Sequence, residues 1–378
     1  MKLAIDCRAL RTTPTGIPNF LVSAINGISQ HNPSWQLYLL ANDLFNEELR
    51  EKLIIRQNIQ IIITPLKVLP NLAIFWYFVK VGSILKKIKP DVFWAPAFLI
   101  PPFIPAHIKT LVTVHDTVYK EHKETMSLAN RLYFKLLHDQ SINKADMLWF
   151  NSLYTQSRIN QYFPYRKCKK EYVGFFIDNE IFKPVQVTPE EKQSIFQKYN
   201  LRDKFLLFVG SLEPRKNLQF LLTLMPKLAT KGYKLLVVGA KGWGKTDIKK
   251  IVESEGFPRE EVIFAGFIST EELVKIFNLA SIYVSTSKNE GFGMPQLEAM
   301  ACGCPVVSPH NSAMMEVVAG AGETVQGWNE QDWIDTIDKV YENRVKYIQA
   351  GFKRVEEYKR EFVIGKLTEY IKGNLSTS

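Results

Sequence analysis

The stretch KFLLFVGSLEPRKNLQFLL, Lys204 to Leu222, reads as a strand, a turn and a helix. Phe205 to Val209 are apolar without alternation, the pattern of a strand covered on both faces, and the run stops at Gly210. Leu218, Leu221 and Leu222 then recur at helical spacing, so Arg215 and Lys216 are expected to open a helix with that apolar face. A doubly covered strand followed at once by an amphipathic helix is the building unit of a parallel α/β sheet.

The unit recurs along the chain. Before it come KLAID, WQLYLLA, IQIIIT, DVFWA, TLVTVH and MLWFN, with helical patterns such as 128–145 between them; after it come YKLLVVG, EVIFAG, SIYVST, CPVVSP and GETV. Two such series in 378 residues predict an α/β protein with two doubly wound Rossmann-like domains. The prolines and polar run of DNEIFKPVQVTPEEKQ place the join near 185. The expected division is therefore 1–185, 186–355 and a last helix, 356–378, packing back on the first domain. Ligands of open α/β sheets sit beyond the C-terminal strand ends, so two such domains facing each other would put the chemistry in a cleft.

The composition, 46% hydrophobic and 23% charged, is that of a globular protein. The longest apolar segment, NLAIFWYFVKVGSIL, falls short of the roughly 18 uninterrupted residues of a membrane span. The N-terminus reads as a strand and not a signal peptide, which predicts a cytoplasmic protein. Four cysteines do not make a disulfide framework, and Cys302 and Cys304 stand too close for a zinc pair; all four are expected as buried thiols. The net charge of +10 is uneven: residues 1–185 hold 23 Lys and Arg against 14 Asp and Glu, the remainder 25 against 24. The clusters KKIK from Lys86 and RKCKK from Arg166 suit an anionic bilayer or phosphate-rich partner, or simply a solvated surface. With no zinc finger, ribonucleoprotein motif or long basic helix, nucleic acid is not expected as a partner.

Two segments compete as phosphate binders. GAKGWGKT, Gly239 to Thr246, satisfies the P-loop pattern and follows a strand, which would make the protein a nucleoside triphosphatase. The later strands, however, end without the Asp that would hold magnesium. Its glycines then read as a surface turn, with Trp243 capping apolar surface. In GSLEPRKN, Arg215 and Lys216 at a helix start oppose the local dipole unless an anion sits with them, so a phosphate belongs there. NEGFGMPQLEAMACGCPVV, from Asn289, supplies the complement. Pro295 fits a first helical turn, Gly291 and Gly293 allow close backbone approach, and free amides at that helix start bind anionic oxygens. Glu290 stands ahead of the helix and Glu298 about a turn inside. As acceptors, the two carboxylates suit hydroxyl-bearing rings flanking a diphosphate, the geometry of a nucleotide sugar.

At these residues the sequence resembles the family 4 glycosyltransferases, retaining enzymes of the GT-B fold, whose signature reads E-G-F-G-x-P-x-x-E-A-M-A-x-G-x-P-V. GSLEPRKN is similar to their phosphate-binding segment, and the likeness extends to GIPNF, TVHDTVYK, NSLYTQSRI and HNSAMMEVVAGAG. The resemblance implies that Glu290 contacts the donor sugar's hydroxyls and Glu298 the ribose hydroxyls. It also implies that Arg215 and Lys216 hold the diphosphate and offset leaving-group charge without a metal or other cofactor. Gly16, Gly293 and Met294 would add amide donors, Gly210, Ser211 and Leu297 would line the donor site, and Gly266 and Phe267 would lie at the base. His115 would orient the donor sugar and stabilise charge at its C1, with Asp116 supporting it or the acceptor. The catalytic set implied is thus His115, Glu290, Arg215 and Lys216. Two positions depart from the family: Pro18 follows Gly16 where a G-G-x-G loop is usual, and Ser211 stands where some members carry Arg.

The expected activity is retaining transfer of a hexose from a nucleotide sugar, GDP- or UDP-linked, to a lipid-linked or polysaccharide acceptor. The forms LEPRKN and VHD are similar to those of bacterial mannosyltransferases of surface polysaccharide, which points to GDP-mannose. The basic N-terminal half would then lie against the membrane's inner face. A sugar-nucleotide binder without transfer activity is the other reading, and it leaves His115 and the Arg215–Lys216 pair unexplained.

Overall fold

The computed structural model describes all residues except 15, 66–72, 122–133, 169–170, 241, 243–245 and 377–378. It divides into two compact units, Met1–Phe176 with Arg360–Ser378, and Ile177–Lys359. Among the described residues each unit has one all-parallel sheet. The first contains β1 (Lys2–Asp6), β2 (Gln36–Ala41), β3 (Ile59–Ile63), β4 (Val92–Ala95), β5 (Lys109–Val114), β6 (Met147–Phe150) and β7 (Glu171–Val173), in the order β3-β2-β1-β4-β5-β6-β7. The second contains β8 (Phe205–Val209), β9 (Lys234–Val238), β10 (Val262–Gly266), β11 (Ile282–Val284), β12 (Val306–Pro309) and β13 (Glu323–Val325), in the order β10-β9-β8-β11-β12-β13. Both are doubly wound α/β sheets, as the apolar runs predict. The edge strand β7, Glu-Tyr-Val, is not among the apolar runs of the sequence, where it directly follows the charged cluster RKCKK.

In each sheet the order reverses beside the first strand of the unit: between β1 and β4, and between β8 and β11. Loops leaving such a pair diverge to opposite faces and open a crevice at the strands' C-terminal ends. In the second unit the pairing is in register at Ile282 with Leu206 and Tyr283 with Leu207, so the loops after β8 and β11 start side by side. Beneath them lies a dry core in which Leu206, Phe208 and Val284 of the sheet meet Leu218 and Leu222 of the helix Leu218–Thr230.

The chain crosses between units at Phe176–Ile177, ahead of the expected join at 185, and again at Lys359–Arg360, beyond the expected 355. Ile177 pairs with Lys359 in a parallel bridge, and its N–H donates to the Tyr358 carbonyl at 3.0 Å. The proline-bearing segment is held by the second unit: Asn278 accepts from the Val185 N–H at 2.9 Å and donates to the Lys183 carbonyl at 3.3 Å. Composition marks the irregular segment but not which unit satisfies its backbone groups. The last helix, Arg360–Leu375, lies on the first unit's helix Gly16–His31, where Asn32 donates to Thr368 at 3.0 Å and Arg360 to Ser23 at 3.2 Å.

Of the basic residues in the cluster from Arg166, the two described ones are paired. Arg166 is buried, ion-paired with Glu171 and donating to the Phe163 carbonyl at 2.8 Å, while Lys167 meets Asp146 at 2.6 Å. Lys169 and Lys170 lie outside the described residues. Lys86, Lys87 and Lys89 are exposed, as expected of KKIK. All four cysteines are free and buried, and no described helix is long and apolar enough to cross a membrane.

One glycine fixes the strand ends under the second crevice. Gly239, just after β9, has φ +144°, and a Cβ built there would stand 2.0 Å from the Gly210 carbonyl oxygen. Its N–H donates to Gly266 at 2.8 Å, while Gly210 donates to Val238 at 2.9 Å, so the ends of β8, β9 and β10 are laced together. Gly239→Ala should therefore destabilise the protein by about 2 kcal/mol or more, read as a lower urea midpoint of the full chain.

Candidate active site

The loop after β8 is not the helix start expected of Arg215 and Lys216. Pro214–Lys216 form a single 3-10 turn, Asn217 takes a left-handed conformation with φ 52°, and the helix begins at Leu218. The turn is pinned by the loop after β11. The Thr286 hydroxyl donates to the carbonyls of Lys216 and Asn217, both at 3.1 Å, and the Lys288 N–H donates to the Arg215 carbonyl at 2.8 Å. Both cations consequently face Glu290. Arg215 Nη1 lies 2.8 Å from Glu290 Oε2 and Lys216 Nζ 2.5 Å from Oε1, to which the Ser287 hydroxyl also donates at 2.7 Å. The anion that the basic pair demands is present, and it is a side chain of the same unit.

Arg215 has a second carboxylate. Its Nη2 meets Glu213 Oε1 at 2.7 Å, and Nη1 also donates to the Asn289 carbonyl at 2.7 Å. Glu213 is buried and Arg215 only 18% exposed, so the guanidinium is fixed from both sides in a partly dry setting. Removing one member of such a network costs several kcal/mol, because the others keep their charge without a partner.

The helix Met294–Ala301 carries the other carboxylate. Gly293 caps it with φ 109°, and a Cβ there would press on the Gln296 side chain at 3.1 Å; Pro295 falls in the first turn. Leu297 is fully buried and Glu298 half-buried, one turn in from Gly293. The two glutamates titrate in opposite directions. Burial raises Glu298 to about 7, against a smaller opposing pull from Lys216. For Glu290 burial acts upward too, but Lys216, Arg215 and the hydrogen bonds from Lys216 and Ser287 outweigh it and hold the group at about 2. Gly210 and Ser211 follow β8 beside Lys216, and Gly266 and Phe267 close β10, with Phe267 65% exposed.

Gly16, His115 and Asp116 belong to the first unit. Gly16 begins the helix Gly16–His31, and Pro18 sits in its first turn, where the missing N–H has no intrahelical partner to lose. His115 follows β5; its Nε2 lies 2.7 Å from the Pro96 carbonyl, so that nitrogen carries the proton and Nδ1 is an acceptor. The rings of Phe20, Phe98 and Phe175 surround it at 5.3, 5.7 and 6.3 Å, and burial lowers its pKa to about 4. The imidazole is neutral at pH 7. Asp116 accepts from the Val118 N–H at 3.1 Å, so a turn uses one of its oxygens.

The P-loop pattern has a structural explanation. Its first glycine, Gly239, is required by the contact with Gly210, and Thr246 is not helical: the next helix is the single turn Ile248–Val252. Trp243 and Lys245 lie outside the described residues. Sequence reasoning passed over Glu213 and Ser287. Glu213 is visible two residues before Arg215, but as a turn carboxylate it is indistinguishable from a solvated one. Ser287 is three residues ahead of Glu290 and finds it only because the loop folds back.

Residues 190–359 match the family model described as Glycosyl transferases group 1. The chain is 26% identical over 244 residues to the serotype-specific mannosyltransferase WbdA of Escherichia coli, and 28% identical over 242 residues to the O-antigen chain mannosyltransferase B of the same species. Each match takes in 63% of this chain, but only 30% of WbdA and 62% of mannosyltransferase B. Among solved structures, a sucrose-phosphate synthase from Thermosynechococcus elongatus aligns with TM-score 0.75 at 17% identity over the whole of both chains. Anabaena HepE, crystallised with UDP-glucose, gives 0.73 at 17% over 99% of this chain and all of that one. The family match falls within the second unit, and the fold of the chain is that of these GT-B structures. Its sequence relatives include proteins named as mannosyltransferases.

The opposed titrations make a pH prediction. Glu298 has a folded pKa above the ordinary value near 4.5, so the native state holds the extra proton between about 4.5 and 7, and stability is lost as pH rises through that window. Glu298→Gln removes the loss. Its urea midpoint should match the wild type at pH 5 and exceed it at pH 8.

Proposed function

We propose that the protein is a retaining glycosyltransferase that moves a hexose from a nucleotide sugar to a lipid-linked or polysaccharide acceptor. The observation that carries this is the convergence of Arg215, Lys216 and Glu290 at the sheet's reversal point, with Glu298 one turn into the adjoining helix. Arg215 and Lys216 are the charges for a diphosphate leaving group and make a metal unnecessary in this scheme. Glu290 accepts from the sugar's hydroxyls and Glu298, once ionised, from those of the ribose. His115 orients the donor sugar through a neutral ring: Nδ1 can accept a hydroxyl's hydrogen bond, while a cationic role is disfavoured by burial. Its partial negative charge can still ease positive charge developing at C1.

In the transfer step the acceptor oxygen bonds to C1 as the bond from C1 to the phosphate oxygen breaks. The electron pair leaves with the phosphate, and the acceptor's proton passes to that leaving oxygen on the same face. Retention of configuration follows. The relatives named as mannosyltransferases favour GDP-mannose; HepE, whose crystals hold UDP-glucose, shares only the fold. Incubation with GDP-, UDP- and dTDP-sugars should release nucleoside diphosphate from one donor class, most from GDP-mannose, and Glu290→Ala should abolish turnover. A protein that binds a donor yet never turns it over would be a binder alone. Lys245→Ala should leave transfer intact; its collapse together with loss of ATP hydrolysis would restore the triphosphatase reading.

The basic N-terminal half is proposed to meet an anionic bilayer. In the first unit Phe75, Val79 and Phe103 are exposed, at 47%, 50% and 74%, near the exposed lysines 80, 86, 87 and 89. Phe103 passes Gly82 closely enough that a Cβ on Gly82 would meet its carbonyl at 2.4 Å. Each lysine near such a surface contributes about 1 kcal/mol. Sedimentation with anionic vesicles should be strong at low salt and fall as salt rises; no binding at low salt removes the bilayer from the scheme.

A further inference from the structure

We propose that donor binding at this site is an exchange of anions: the diphosphate takes Lys216 and the near edge of Arg215 from Glu290, whose carboxylate turns to the sugar's hydroxyls. The inference rests on the nucleotide-sugar reading and adds to it the step by which the site opens. Three of Glu290's acceptor positions are already used, by Arg215, Lys216 and Ser287. A carboxylate so occupied has little left for a sugar, and a diphosphate arriving at the same cations would meet a like charge in a partly dry place. The two anions compete for one pair of cations.

The surroundings suit an exchange rather than a collapse. Arg215 keeps Glu213 at 2.7 Å on Nη2 and the Asn289 carbonyl at 2.7 Å on Nη1, so the guanidinium stays aimed when Glu290 leaves. The backbone of Glu290 is tied separately, its N–H donating to the Ser312 hydroxyl at 3.1 Å, so only the side chain has to rotate. Glu213 is the counter-ion that remains and Glu290 the one that moves. The resident carboxylate also sets a threshold: sulfate or free phosphate must displace an anion already held by two cations and a hydroxyl.

The test is the affinity of wild type and Glu290→Gln for GDP, UDP and dTDP by calorimetry. Glutamine keeps the shape and a hydrogen-bonding oxygen but removes the competing charge, so the diphosphate that wild type binds should bind about tenfold tighter to the variant, while transfer is lost. In a Lys216→Met background the gain from Glu290→Gln should shrink, since a shared cation is gone. Equal or weaker binding by Glu290→Gln overturns the exchange and leaves the donor reading standing. Failure of every diphosphate to bind either protein at millimolar concentration overturns both. If Glu290→Gln does not fold, a crystal structure of wild type with the bound diphosphate decides: Glu290 leaving Lys216 supports the exchange, and Glu290 still paired with it overturns it.

Discussion

The ion pairs from Glu290 to Arg215 and Lys216 join the loop after β8 to the loop after β11. Those strands flank the point where the sheet order reverses, so their loops leave toward opposite faces and would otherwise diverge. The carboxylate closes the gap. Thr286 and Lys288 reinforce it by hydrogen bonds to the Arg215–Asn217 backbone. The same charges that would receive a phosphate therefore tie the two loops together. Glu290 also offsets the repulsion between two adjacent cations at 18% and 14% exposure.

Electrostatics also separates the roles of the two glutamates. Both are acids in a partly dry region and burial raises both, yet Glu290 lies on two cations and is held at about 2, whereas for Glu298 burial outweighs the pull of Lys216 and raises it to about 7. A paired carboxylate and an acid titrating near neutrality thus sit eight residues apart, one in a loop and one on a helix. His115 in the first unit is a third case: burial beside a carbonyl partner keeps it neutral.

The strands were legible because both sheets are covered on both faces, which demands apolar runs such as FLLFV and KLLVV. β7 was not: its Glu-Tyr-Val directly follows the charged cluster RKCKK and merges with it in the sequence, whereas the equally short edge strand β13 shows as GETV. Among site residues, Glu290, Glu298, Arg215 and Lys216 stood out because glycine and proline punctuate their loops. Glu213 and Ser287 did not, because turn carboxylates and loop serines occur throughout any surface. The P-loop match misled for a related reason: Gly239 is glycine because the Gly210 carbonyl leaves no room for a Cβ, and a pattern of residue types does not record which contact requires the glycine.

By itself the sequence determined the class of fold and picked out the loops of the candidate site with their opposite charges, since periodicity and turn chemistry act over a few residues. Only the tertiary structure decided which charges meet. Arg166 in its basic cluster proved to be a buried partner of Glu171, and Arg215 and Lys216, expected to open a helix and await an outside anion, stand in a 3-10 turn already paired with Glu290. Pairing across some 75 positions depends on strand order and on which loop crosses which strand end, and these follow from how the whole sheet packs.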